Sequence, residues 1–337
     1  MKRKLFILSM VLVLSLVMAA CSSNKTNVRA NSANTAAESQ TKATAEESKD
    51  TAATKVVQSQ FGEVIIPVAP EKLLVLNSSY AEYLIELGVV PQMVTIIEEV
   101  EPQYRAPYFK EHGVEMIPTV QYQFNLEQIL ELSPDLIIIN GSAIEQSVYD
   151  ELSKIAPTVA LDASVEMKDA LPKLAAIFDK NEQANEILAE FDEKAKIARE
   201  KIATAIGDKT VLVLRVESNQ YRYMGPKAGN SSIFFYQTLG LNAPEAIKET
   251  DTWFLPFSME ILPELNPDYI FLEDRVLKGY DTTESMNSLT KSKIWTSLDA
   301  VKNNHVFPLK TNDFTGGLGP VGSILLVDYV VEQLVQE

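Results

Sequence analysis

Apolar and polar positions along this chain switch repeatedly between a period near two and a period near 3.6. Short β-branched runs predict buried strands over Lys72–Leu76, Val94–Ile97, Leu136–Ile139 and Thr158–Leu161. Between them, helical spacing covers Ala81–Leu87, closed by Gly88, and Val148–Ile155. This alternation predicts an α/β layer with mostly parallel strands. From Met167 to Ala205 the strand signal vanishes. Ala184–Ala205 is rich in Ala, Glu, Lys, Leu and Ile, and contains neither glycine nor proline. Its apolar positions Ile187, Leu188, Phe191, Ala195, Ala198 and Ile202 mark one face of a helix roughly 30 Å long. Alternation resumes after Gly207. Strands are predicted over Val211–Val216, Gln220–Met224, Tyr269–Leu272 and Val306–Leu309. Helices are predicted over Ser231–Leu239, Met259–Leu265, Ile294–Leu298 and Gly322–Val335.

One segment is written twice. EQILELSPDLIII at 127–139 and EILPELNPDYIFL at 260–272 share Glu127/Glu260, Glu131/Glu264, Leu132/Leu265, Pro134/Pro267, Asp135/Asp268 and Ile137/Ile270, at one constant offset. Each copy reads as a short helix, a Pro-Asp break and a buried strand. Two copies predict two similar α/β lobes, joined by the long helix and enclosing a cleft. The boundaries are 55–166 for the first lobe, 167–206 for the connecting helical segment and 207–337 for the second lobe.

The N-terminus changes the picture most. Lys2, Arg3 and Lys4 precede an apolar run from Leu5 to Val17, too short to span a bilayer and flanked like a secretory signal. Met18-Ala19-Ala20-Cys21 follows and resembles the lipobox of bacterial lipoproteins, with Met18 where that pattern usually has Leu. The reading is a signal peptide over 1–20 and a lipidated Cys21, which implies palmitate and diacylglycerol at the cell membrane. Cys21 is the only cysteine, so no internal disulfide competes for it. Residues 22–54 carry almost no large apolar side chain and are expected to form a disordered tether reaching about 30 Å. The remaining composition supplies a substantial core. A net charge of -16 excludes a basic nucleic-acid-binding face.

Catalytic and metal-binding signatures are missing. The two histidines, His112 and His305, lie in no ligand-spacing motif, and the chain has no HExxH, CxxC, P-loop, GxGxxG or GxSxG. Nothing in the sequence supports an enzyme, although a surface hydrolase built from scattered residues would leave no such signature. A free-metal binder is disfavoured by the lack of a His/Asp set.

The motifs around the repeat resemble those of the solute-binding proteins of ABC importers for iron-siderophores, haem and cobalamin. Asn125-Leu126-Glu127 with Ser-Pro-Asp-Leu-Ile-Ile is similar to the N-lobe signature. Ser258-Met259-Glu260 with Asn-Pro-Asp-Tyr-Ile-Phe is similar to the C-lobe signature. Tyr221–Gly225, Ser231–Leu241 with Pro244, and Trp295-x-x-Leu298-x-Ala-Val301-Lys-Asn also fit, so the likeness spans roughly 60–335. It implies a class III fold, two Rossmann-like lobes on one long α-helix, with small lobe movement. It implies an extracytoplasmic, lipid-anchored monomer that captures a ferric siderophore between its lobes and delivers it to an ABC permease dimer with its ATPase for iron uptake. No cofactor is expected beyond the Fe(III)-siderophore cargo. Haem or cobalamin binding is the alternative within the same class.

The resemblance also assigns residues. Glu127 and Glu260 would salt-bridge arginines of the permease. Helix chemistry alone also explains them, since Asn125 and Ser258 are N-caps, each glutamate sits in a first turn, and Asn125 with Gln128 fits a capping box. Arg275, just past a buried strand, and Arg215 are candidate ligand contacts, as guanidinium groups pair with chelating oxygens. Trp253, Tyr223, Tyr221 and Phe314 are aromatic candidates for the cleft, and core packing would explain each equally. Tyr122, Arg105 and Tyr280 complete the set. Arg222, alternating against the two tyrosines, is expected on the surface. The arginines lean toward an anionic carboxylate or catecholate complex, while the aromatics fit a hydroxamate equally well, so the sequence leaves the siderophore class open.

Overall fold

The structure is a computed structural model, and it describes residues 53–120, 123–164, 166–229, 231–275, 281–310 and 318–335. A hairpin of β1 (Thr54–Ser59) and β2 (Gly62–Pro67) opens the described chain. The first lobe follows: β3 (Leu73–Val75), α1 (Ser78–Glu86), β4 (Met93–Ile96), α2 (Arg105–Glu111), β5 (Glu115–Pro118), α3 (Leu126–Leu132), β6 (Leu136–Asn140), α4 (Gln146–Ser153) and β7 (Thr158–Leu161). Its sheet runs β5-β4-β3-β6-β7 with every pair parallel. Such sheets are covered on both faces, which is why β3, β4, β6 and β7 read as continuous apolar runs rather than alternating ones.

Helices α5 (Met167–Ile177) and α6 (Asn181–Ile206) carry the chain to the second lobe. The buried positions of α6 include Phe191, Ala195, Ala198 and Ile202, the stripe read from the sequence. The second lobe holds β8 (Val211–Val216), β9 (Tyr221–Met224), β10 (Phe254–Phe257), α7 (Leu262–Leu265), β11 (Tyr269–Asp274), α8 (Thr283–Thr290), α9 (Lys293–Ser297), α10 (Asp299–Lys302), β12 (Val306–Lys310) and a closing helix α11 (Pro320–Leu334). Here the sheet order is β10-β9-β8-β11-β12. Strands β8, β11 and β12 are parallel, while β9 runs antiparallel to β8 and to β10. The second lobe is thus mixed where the pattern had suggested mostly parallel strands, because a four-residue turn returns the chain directly from β8 into β9.

The duplicated segment does the same structural work in both lobes. Each short helix ends on a residue with positive φ, Ser133 at 50° and Asn266 at 28°, just before the proline. The following aspartate then ties down the start of the neighbouring parallel strand. Asp135 accepts from the backbone of Glu71 at 2.6 Å and Lys72 at 3.0 Å, at the head of β3. Asp268 accepts from the Thr210 backbone at 2.8 Å and its hydroxyl at 3.1 Å, at the head of β8. Pro-Asp is therefore a clasp between adjacent strands.

The closing helix departs from the simple two-lobe division. Its body lies on the second lobe, where the Tyr329 ring is 6.3 Å from Phe271 and its hydroxyl donates to the Pro308 carbonyl. It also runs along α6, with Lys194 and Asp328 paired at 2.6 Å. The residues leading into it reach α1 of the first lobe, where the Tyr83 hydroxyl donates to the Leu318 carbonyl at 2.9 Å. One apolar cluster accordingly includes Tyr80 and Leu84 of the first lobe, Phe191 of α6, Phe271 of the second lobe and Val327 of α11.

Candidate ligand site at the carboxyl ends of β8 and β11

Open α/β sheets present ligand sites beyond the carboxyl ends of their strands. In the second lobe, β8 ends Arg215-Val216 and runs into Glu217, and β11 ends Glu273-Asp274 and runs into Arg275. The strands are parallel with Arg215 opposite Glu273, and the same offset sets Glu217 beside Arg275. Residues two apart share a face, so the two pairs form a crossed charge ladder. Arg215 Nε donates to Glu273 Oε2. Arg275 Nε lies 3.9 Å from Glu217 Oε1. Glu217 Oε2 also accepts from Arg222 Nε at 3.0 Å and Gln220 Nε2 at 2.7 Å.

The ladder grades from buried to open. Arg215 and Glu273 are almost fully buried, whereas Arg275 and Arg222 keep 19% and 30% of their side chains exposed. The Arg215 guanidinium lies over the Phe254 ring at 3.5 Å and 5.4 Å from the Trp253 ring. Burial lowers the Arg215 pKa more than the Glu273 carboxylate restores it. Among the described residues, three buried ladder atoms have no hydrogen-bond partner: Arg215 Nη2, Glu273 Oε1 and Arg275 Nη1. Buried polar atoms normally find a partner, so the ladder retains both donor and acceptor capacity.

Trp253 is half-buried, and its indole donates to Ser231 Oγ at 2.9 Å. Ser231 and Ser232 open the helical segment expected over Ser231–Leu239, which continues as a π-helix over Ile233–Thr238. Such π turns recur at functional sites. The buried Ser232 hydroxyl is a fourth polar atom without a partner.

Several sequence candidates lie elsewhere. Tyr221 and Tyr223 do share one face, but it is the face covered by α7, α8 and α9. Tyr223 is buried beside Phe257 at 5.7 Å, and the Tyr221 hydroxyl donates to the Ser285 carbonyl at 2.9 Å. Both are packing residues, and neither offers a free oxygen as a haem ligand. Arg222 points the other way, and that direction is the ladder rather than open surface. Arg105 is also corrected. It is fully buried, with Nε on Glu82 and Nη1 on Glu101, both at 2.9 Å. Burial disfavours its charge, but Glu82, Tyr104 and Glu101 together hold its pKa above the usual value. Tyr122, Tyr280, Phe314 and Cys21 lie outside the described residues. Glu217, Glu273 and Arg222 are the site residues that sequence reasoning passed over. The reciprocal R-x-E and E-x-R at the ends of two predicted parallel strands was the available signal.

Glu127 and Glu260 are both exposed. Asn125 Oδ1 accepts from the Gln128 backbone at 3.1 Å and caps α3, so Glu127 stands free in the first turn. Ser258 precedes a 3-10 turn over Met259–Ile261 and makes no side-chain cap bond. Among the described residues, no group of three or more His, Cys, Asp or Glu side chains could hold a metal ion.

Comparison with known proteins agrees with this architecture. The periplasmic binding protein family profile matches residues 73–312. The iron(3+)-hydroxamate-binding protein FhuD of Bacillus subtilis is 31% identical over 281 residues, covering 80% of this chain and 83% of that protein. The iron(3+)-hydroxamate-binding protein YxeB of Bacillus subtilis is 27% identical over 345 residues, covering 100% and 98%. Among solved structures, Staphylococcus aureus SirA complexed with staphyloferrin B superposes with a TM-score of 0.70 at 26% identity, over 84% of this chain and 99% of that one. With two five-stranded sheets, one long helix and a profile match across both lobes, the chain belongs to the periplasmic binding protein family.

Proposed function

We propose that this protein is the extracytoplasmic receptor of an ABC importer and that it captures a ferric hydroxamate siderophore in the cleft between its lobes. The supporting observation is the charge ladder. Sequence alone left the siderophore class open, since the arginines leaned toward an anionic ligand and the aromatics fitted a hydroxamate equally well. In the structure, Arg215, Arg222 and Arg275 face Glu217 and Glu273. On the first lobe, β4 runs out into Glu98 and Glu99, both exposed, while Arg105 is enclosed by Glu82 and Glu101. The ladder's three arginines are thus offset by two glutamates, which leaves little positive charge to hold a triply charged catecholate complex. Three hydroxamates neutralise ferric iron, and such a complex needs polar partners rather than a cationic trap. Relatives named for iron(3+)-hydroxamate binding point the same way.

In this reading the chelator holds the iron and the protein supplies no metal ligand. Arg275 and Arg222 donate to hydroxamate or amide oxygens, and the exposed part of Trp253 packs on the ligand's apolar arms. Arg215 and Glu273 brace that surface from below. Glu127 and Glu260 dock on a permease dimer, and Cys21 carries the lipid anchor that holds the protein at the cell membrane.

Tryptophan emission tests the assignment. The only other tryptophan, Trp295, is buried in the second apolar cluster. A ferric trishydroxamate is expected to quench Trp253 at micromolar or lower concentration. Ferric citrate, a ferric triscatecholate, haem and cobalamin are the comparison ligands. Tight binding of the triscatecholate with no response to any hydroxamate refutes the assignment of ligand class, and silence toward the whole panel refutes siderophore capture.

A further inference from the structure

The Glu82 side chain is fully buried in α1 of the first lobe, and sheet packing does not require it there. Its Oε2 accepts from Tyr104 Oη at 2.8 Å and Arg105 Nε at 2.9 Å. Its Oε1 accepts from the backbone N–H groups of Val321 at 2.9 Å and Gly322 at 3.2 Å. Those two N–H groups belong to the first turn of α11, which has no side-chain cap and no acidic residue of its own in that turn. The unsatisfied amides and positive dipole end of a helix are normally met by a local acceptor. Here the acceptor comes from a residue 239 positions earlier, in the other lobe.

The fit is built on both sides. A Cβ at Gly319 would stand 2.2 Å from the Glu82 carboxyl carbon, and one at Gly322 would stand 2.1 Å from Tyr104 Oη. Glycine at both positions lets the helix tip seat on the carboxylate. Behind Glu82, Arg105 is itself held by Glu101 at 2.9 Å and Ser78 Oγ at 3.1 Å, so the carboxylate cannot swing away cheaply. The body of α11 meanwhile lies on the second lobe through Tyr329. The helix therefore spans the lobes as a strut, with its tip fixed to the first and its side fixed to the second.

We infer that Glu82 is a positioning residue that fixes the angle between the lobes, and with it the width of the ligand cleft, by capping α11 from across the lobe boundary. The long helix α6 supplies the covalent connection, and a single helix leaves bending and twisting open. The Glu82 cap adds a second point of attachment and removes those freedoms. The importance of this for ligand capture rests on the function proposed above. The test is made without ligand, so the two readings fail separately.

The experiment is the distribution of distances between spin labels at Glu131→Cys and Glu264→Cys, one per lobe, in the full chain carrying Cys21→Ser. Both labelled positions are exposed, and Cys21 is the only native cysteine. Glu82→Gln preserves volume and removes the charge. Gly319→Ala sets a methyl group against the Glu82 carboxyl and pushes the helix tip away, while both partners of the Glu82–Arg105 pair stay in the chain. Each is expected to widen the distribution beyond its native width, because one of the two attachments between the lobes is lost. Asp135→Ala is the control, because it weakens a strand clasp away from α11 and should lower the melting temperature without widening the distribution. Native width in both Glu82→Gln and Gly319→Ala, measured on protein that still melts cooperatively, overturns the inference. So does equal widening in Asp135→Ala, which would mark the effect as general loosening.

Discussion

At the scale of single residues, the ladder separates two jobs that sequence could not tell apart. Arg275 is partly open and under-bonded, which suits the ligand contact proposed for it. Replacing it with alanine is expected to weaken hydroxamate binding about 10- to 100-fold, as loss of a charged hydrogen bond does, with little change in melting temperature; titration calorimetry on folded protein measures this. Glu273 is buried against Arg215. Glu273→Gln leaves a guanidinium without its counter-charge and is expected to cost about 3 kcal/mol of stability. Urea unfolding reads that loss, and an unchanged midpoint would contradict the bracing role. Both arginines stood out in the sequence as charges at strand ends. The burial of Arg215 did not, because it depends on Phe254 of β10 and on Trp253 just before it, some 40 residues along the chain.

Among elements, the repeated helix–Pro-Asp–strand unit was legible because its chemistry is local. The break follows from proline and a left-handed residue before it, and the strand follows from its β-branched run. The clasp partners of Asp135 and Asp268 were not legible, since they lie 63 or 64 and 58 positions away. Asp135→Ala leaves two backbone donors without their acceptor. It is expected to cost about 1–2 kcal/mol, seen as a lower thermal midpoint at unaltered ligand affinity. The helices that begin each unit end differently at the surface. Leu130 is 60% exposed one turn after Glu127, while the second lobe has Pro263 in that place. Charge reversal at Glu127 and Glu260 together is expected to abolish iron uptake by cells while binding to purified protein stays native. Loss of binding instead would place the two glutamates at the ligand.

For the whole molecule, α6 and α11 make the two lobes a stiff pair, and ligand capture is expected to involve only a small closure. Small-angle scattering with and without ferric hydroxamate should give nearly superposable curves, and a large drop in radius of gyration would contradict the strut. The N-terminal reading is tested at the same scale. Cys21→Ala is expected to release the protein from the membrane fraction into the medium while its ligand affinity is retained.

The sequence by itself determined the two α/β lobes, the long connecting helix, the duplicated unit and the family resemblance. All of these rest on periodicity and on short motifs whose residues interact within a few positions of one another. Only the tertiary structure decided which charged residues stand together at the strand ends. Arg222 joined the ladder and Arg105 proved to be enclosed because charge gives a residue's chemistry but not its surroundings. Glu82 shows the limit most plainly. In sequence it is one acidic residue within a predicted helix. Its role arises because the fold brings the first turn of the last helix onto it, and no pattern within either segment encodes that meeting.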